Sequence, residues 1–96
     1  MKNHTPHISR PTPGVGGIQQ IYKFPNGYGA SVVCHPFSYG GDEGKWELAV
    51  VTFSGDDWRL TYKTPITDDV LGYLSDEEVQ QTLDAIEALP SIKEAA

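Results

Sequence analysis

Hydrophobic and polar residues alternate through IQQIYKFPNGYGASVVC, residues 18–34, and again through KWELAVVTF and WRLTYK. Period-two alternation in runs rich in β-branched and aromatic residues predicts half-buried strands. In the first unit the alternation also selects the turn. A two-residue Asn26-Gly27 loop would set Pro25 opposite Tyr28 and mix Lys23 and Gln19 with Ala30 and Cys34 on one face. A three-residue loop, Pro25-Asn26-Gly27, instead pairs Phe24 with Tyr28, Tyr22 with Ala30, Gln20 with Val32 and Ile18 with Cys34. That face is apolar apart from Gln20. Because a one-residue slip would turn every side chain over, the three-residue loop is the expected one. Proline's fixed φ suits the first turn position, and glycine suits the left-handed one.

The second unit is a hairpin closed by Ser54-Gly55-Asp56-Asp57, pairing Phe53 with Trp58, Val51 with Leu60 and Ala49 with Tyr62. Its first strand is apolar on the reverse face as well, through Trp46, Leu48 and Val50. A strand apolar on both faces belongs in the middle of a sheet, or carries a face that meets a partner. The period then changes. Ser75 with Glu78 three residues on forms a capping box, and Leu74 and Val79 stand where a hydrophobic staple would. Val79, Leu83 and Ile86 follow at helical spacing and Pro90 marks the stop. Between hairpin and helix, TPITDDVLGYL reads as a short helical turn begun at Thr67 or Asp68 and ended at Gly72. Residues 1–17, with Pro6, Pro11, Pro13, Gly14, Gly16 and Gly17 and little to bury, read as a flexible arm. The expected fold is α+β: one domain over residues 18–96, a four-stranded antiparallel β-meander with one C-terminal α-helix packed on one face.

Composition narrows the function. Ninety-six residues suffice for one domain, and no apolar run reaches the roughly 18 residues that span a bilayer, so no membrane association is expected. The N-terminal residues lack the apolar core of a secretory leader, and a single cysteine, Cys34, fits a reducing cytoplasm. Residues 1–41 carry Lys2, Arg10 and Lys23 and no acid. Residues 42–96 carry 13 acids and four bases, a net charge of -9. Such a domain lacks the basic footprint of direct nucleic-acid binding and favours a protein partner with a basic surface.

The best candidate site is HPFSYGGDEGKW, residues 35–46. Its glycines resemble an anion cradle, but no phosphate-loop lysine follows and Asp42 and Glu43 oppose phosphate. Phe37 and Tyr39 on such a loop suit either a bare connection or a protein contact. Cys34-His35 invites comparison with a nucleophile and its base. Neighbours on a strand point to opposite faces, though, and Cys34 falls on the expected core face as a small buried hydrophobe. His4, His7 and His35 are too scattered for a zinc site, and the remaining acids suit turns, caps and a solvated helix face. Asp68, Asp69, Asp76, Glu77, Glu78, Asp84 and Glu87 form an acidic stretch without a base, dense enough to raise the idea of a DNA mimic. A solvated helix face is the simpler account. No cofactor or metal is expected.

Taken together, KFPNGYGASVV, YGGDEGKWELAVV and TPITDDVLGYLSDEEV resemble small uncharacterised proteins of tailed bacteriophages, notably those of actinobacteria, over about residues 18–80. The resemblance implies an accessory protein acting in the host cytoplasm, a class whose assigned members commonly bind and divert host proteins, defence nucleases included. The expectation is a non-enzymatic inhibitor of a host factor, contacting it through Phe37, Tyr39, Asp42, Glu43, Trp46, Asp68 and Asp69. The alternative is a virion structural or assembly accessory that self-associates as a homo-oligomer. A metal-independent hydrolase ranks last, for want of a catalytic motif.

Overall fold

A computed structural model describes residues 4–92. The chain runs β1 (Ile8–Thr12), β2 (Gly16–Lys23), β3 (Tyr28–Cys34), β4 (Trp46–Ser54), β5 (Asp57–Leu60), β6 (Leu71–Leu74) and α1 (Asp76–Glu87). The class is α+β, with one helix on a curled antiparallel sheet. Six strands replace the four expected.

The first hairpin adopts the anticipated register, with Ile18 opposite Cys34, Gln20 opposite Val32 and Tyr22 opposite Ala30. Gly27 takes the left-handed conformation at φ 90°. β4 is the middle of the sheet. β3 runs along one edge of it, while β5 and β6 share the other: β5 pairs with residues 51–54 and β6 with Trp46 and Leu48. Phe53 faces Trp58 and Val51 faces Leu60 as expected. β5 ends at Leu60, so the anticipated pairing of Ala49 with Tyr62 does not form.

Two elements went unforeseen. Residues 8–12, expected to lie in the arm, form β1 along β2, with Ile8 opposite Ile21. Pro11 is tolerated because it falls at an irregularity of the pairing on the outermost strand. Residues 71–74, expected to end a helical turn, form β6. Two steps along β4 from Trp46 to Leu48 match three along β6 from Leu74 to Leu71, so β6 carries a bulge, and within it Tyr73 is left-handed at φ 57°.

The core lies between sheet and helix. Tyr22, Phe24, Ala30 and Val32 of the first hairpin continue into Leu48 and Val50, and α1 covers them with Val79, Leu83 and Ile86. The capping box is complete: Ser75 Oγ accepts the Glu78 amide at 3.1 Å and Glu78 Oε1 accepts the Ser75 amide at 3.0 Å. At the other end of α1, Asn26 of the hairpin turn is buried, and its Nδ2 donates to the carbonyls of Ile86, Glu87 and Leu89 at 2.9, 3.1 and 3.0 Å. Its Oδ1 accepts the Tyr28 amide at 3.0 Å, and its carbonyl accepts the Ile92 amide at 2.9 Å. A turn residue thus caps a helix sixty positions away.

The opposite sheet face also buries Ile21, Val33, Ala49 and Val51, although no helix covers it. Small residues, Gly29, Ser31 and Ala49, stand at its centre, and the Phe53 ring packs close over Gly29. Lys23 Nζ reaches the Gly55 carbonyl at 3.0 Å and lies 5.3 Å from the centre of the Phe53 ring, drawing the two hairpins together.

Candidate functional site

The segment between β3 and β4 is a built loop. His35 and Ser38 tie its start: Ser38 Oγ accepts the His35 amide and donates to the His35 carbonyl, both at 2.9 Å. Gly40 and Gly44, left-handed at φ 88° and 72°, flank a 3-10 turn at Gly41–Glu43. The Gly40 carbonyl accepts the Lys45 amide at 2.9 Å, and Glu47 Oε1 accepts the Tyr39 amide at 3.0 Å. These bonds turn the intervening side chains outward. Phe37 is 80% exposed and Tyr39 60%.

The β6 bulge completes the patch. The Tyr73 amide donates to the Tyr39 carbonyl at 3.2 Å, and a Cβ on Gly72 would lie 2.6 Å from that of Tyr39. Tyr73, 54% exposed, thereby joins Phe37 and Tyr39 as a third outward aromatic beside the acidic turn of Asp42 and Glu43. A non-glycine residue held left-handed costs of order 1–2 kcal/mol, and such strain concentrates at binding sites. Sequence reasoning missed Tyr73, because the four residues of LGYL with a bulge carry no legible alternation.

The other expected contact residues are placed differently. Trp46 turns toward the helix, where its indole N–H donates to Asp76 Oδ1 at 2.7 Å. Asp68 and Asp69 are exposed in the turn before β6, where Thr67 Oγ1 accepts the Asp69 amide at 3.1 Å. Among the described residues no hydrogen bond or ion pair links them to the loop.

Cys34 and His35 are each engaged elsewhere. The thiol points to the Gly41 carbonyl at 3.7 Å, whereas His35 Nδ1 accepts the Phe37 amide at 3.1 Å. Cys34 is half-buried at the sheet's end, outside the core, which corrects the expectation of a fully buried side chain. Among the described residues no three His, Cys, Asp or Glu side chains are grouped to hold a metal ion, and no helix is long and apolar enough to cross a membrane. His4 is instead a helix contact: its ring meets Asp84 Oδ1 at 2.7 Å, its amide donates to Gln80 Oε1 at 2.8 Å, and Phe24 lies edge-on at 5.3 Å. Among the described residues two groups have shifted acidities. Two hydrogen bonds from Ser75, the backbone one first, hold the Glu78 carboxyl below its ordinary range, with a smaller contribution from Lys45. Burial pushes the Tyr22 phenol up.

No known protein family, curated protein or solved structure matches the chain.

Proposed function

We propose that the chain is a non-enzymatic binding protein that inhibits or diverts a host protein bearing a basic surface, acting in the host cytoplasm. The observation that carries this is the patch of Phe37, Tyr39 and Tyr73, three large aromatics turned to solvent on a loop and bulge that hydrogen bonds hold in place. A core protein has no use for that arrangement, whereas aromatic anchors already fixed in position lose little entropy on binding. Asp42 and Glu43 beside the patch, and the charge of -9 over residues 42–96, supply the complement to a basic surface. The phage resemblance supplies the host setting, in which a defence complex is the natural target.

The test is quantitative capture from host lysate with the wild-type chain and with the combined F37A, Y39A and Y73A variant. A stoichiometric partner lost in the variant, at unchanged thermal midpoint, is the expected result. Equal recovery by both proteins, or no stoichiometric partner, overturns the reading. The second reading, a virion accessory that self-associates, loses the reverse face of β4 expected to carry it, since α1 covers Leu48 and Val50 there. It is favoured instead by Leu60 and Tyr62, 46% and 48% exposed at and just beyond the end of β5. It requires a concentration-dependent oligomer in light scattering and the protein's presence in purified particles.

A further inference from the structure

A cavity of about 370 Å³ opens between the N-terminal segment, the sheet and the start of α1. Trp46 and Tyr22 form its aromatic walls, Gln20 and Gln80 its amide rim, and His4 one side. Asp76 is the one carboxylate in the lining. Much of the local hydrogen-bonding capacity is already engaged. Tyr22 donates its hydroxyl proton to Gln20 Oε1 at 2.9 Å, and Gln80 Oε1 accepts the His4 amide. His4 is held by Asp84. The Asp76 carboxylate accepts the Trp46 indole with one oxygen, which leaves most of its roughly four acceptor sites available.

The charge of the preferred ligand follows from magnitudes. A helix N-terminus contributes about half a positive charge, which alone would favour an anion. Here Asp76, Glu77 and Glu78 outweigh it in the first turn, and among the described residues Lys45 is the base whose charge acts on Glu78. Aromatic faces beside a carboxylate, in a net negative field, suit a cation carried on an apolar stem.

We propose that this cavity receives a guanidinium or alkylammonium side chain, arginine or lysine, from the protein that docks on the aromatic patch. The inference rests on the binding reading above, and the chain continuity supports it. Trp46 pairs with Leu74, the neighbour of Tyr73, and follows Lys45, whose amide is tied to Gly40. Patch and cavity are thus joined through adjacent residues of β4 and β6, so one partner can engage both. The volume sits at the low end for ligand sites and matches one long side chain better than a cofactor.

The probes are N-acetyl-arginine and N-acetyl-lysine methylamides, with the leucine and glutamate analogues as controls. The indole N–H signals of the two tryptophans are followed by NMR, Trp58 on β5 serving as the remote reference. Saturable shifts at Trp46 alone, with the cationic probes alone, weakened at least tenfold in D76N and in D76S, are the expected result. A flat titration, an equal response to the leucine probe, or full affinity in either folded variant overturns the proposal. The F37A, Y39A and Y73A variant retains probe binding, since none of those residues lines the cavity. Failure of the cavity and failure of the patch are therefore read separately.

Discussion

Asn26 offers the sharpest test of how the sheet and helix are joined. Its amide group has two hydrogens facing three helix-terminal carbonyls at 2.9–3.1 Å, and the Ile86 contact is buried. Each such bond has a net worth of about 0.5–1.5 kcal/mol, and a buried carbonyl left bare costs about 1–3 kcal/mol. N26A should therefore lose about 2–3 kcal/mol. N26D keeps the acceptor for the Tyr28 amide but sets a carboxylate against the negative end of the helix, where a misplaced charge costs up to about 2 kcal/mol more. Its loss at pH 7 should reach about 3–4 kcal/mol, a large share of the roughly 5–14 kcal/mol expected for a chain this long. The sign with pH follows from the same contacts. The new carboxyl would have its folded pKa raised, because only the protonated form can donate to a carbonyl. Its compatibility with the fold is complete below the unfolded pKa and is lost as pH rises through the folded value. Urea unfolding of the wild type, N26A and N26D, followed by tryptophan fluorescence, should show the N26D deficit narrowing between neutral pH and about pH 3.5, while that of N26A stays constant. N26D within about 0.5 kcal/mol of the wild type at pH 7, or a deficit indifferent to pH, would refute the capping account.

Three further outcomes follow from the packing and the cap. A Cβ on Gly29 would run into the Tyr22 carbonyl and come within 2.6 Å of the Phe53 ring, so G29A should cost about 3 kcal/mol and lower the urea midpoint in proportion. S75A should cost about 1 kcal/mol, whereas E78Q should flatten the acid limb of the stability curve, because the Ser75 backbone amide first and its side chain second depress the Glu78 carboxyl. That depression contributes stability above the unfolded pKa of Glu78 and loses it as pH falls through the folded value. A pH titration of stability that is the same in E78Q and the wild type would rule this out.

What could be read in the chain was local. The first hairpin's register followed from alternation and turn chemistry acting within seventeen residues, and the helix start from a four-residue cap. The outer strand β1 was hidden because Pro11, Pro13 and Gly14 have the composition of an arm, while the pairing that orders them is supplied by β2. β6 was hidden by its length and its bulge, and with it went Tyr73, the third aromatic of the patch. The exposure of Phe37, Tyr39, Asp42 and Glu43 was legible because a glycine-rich loop between strands exposes what it carries. The bond of Trp46 to the helix was not legible, since nothing near it in sequence announces Asp76 thirty residues on. Asn26 shows the same limit: its turn role was legible, and its bonds to α1 were not.

The Asn26 cap bears on how the chain emerges from the ribosome. A twelve-residue helix is marginal by itself in water, and the sheet cannot bury Tyr22, Leu48 and Val50 until α1 arrives. Both the cover and the carbonyls that Asn26 binds follow the whole sheet in chain order. The sheet therefore closes its core only once residues 76–89 have been made, and a truncation before residue 89 should leave a solvent-exposed, protease-sensitive sheet with nothing to close over it.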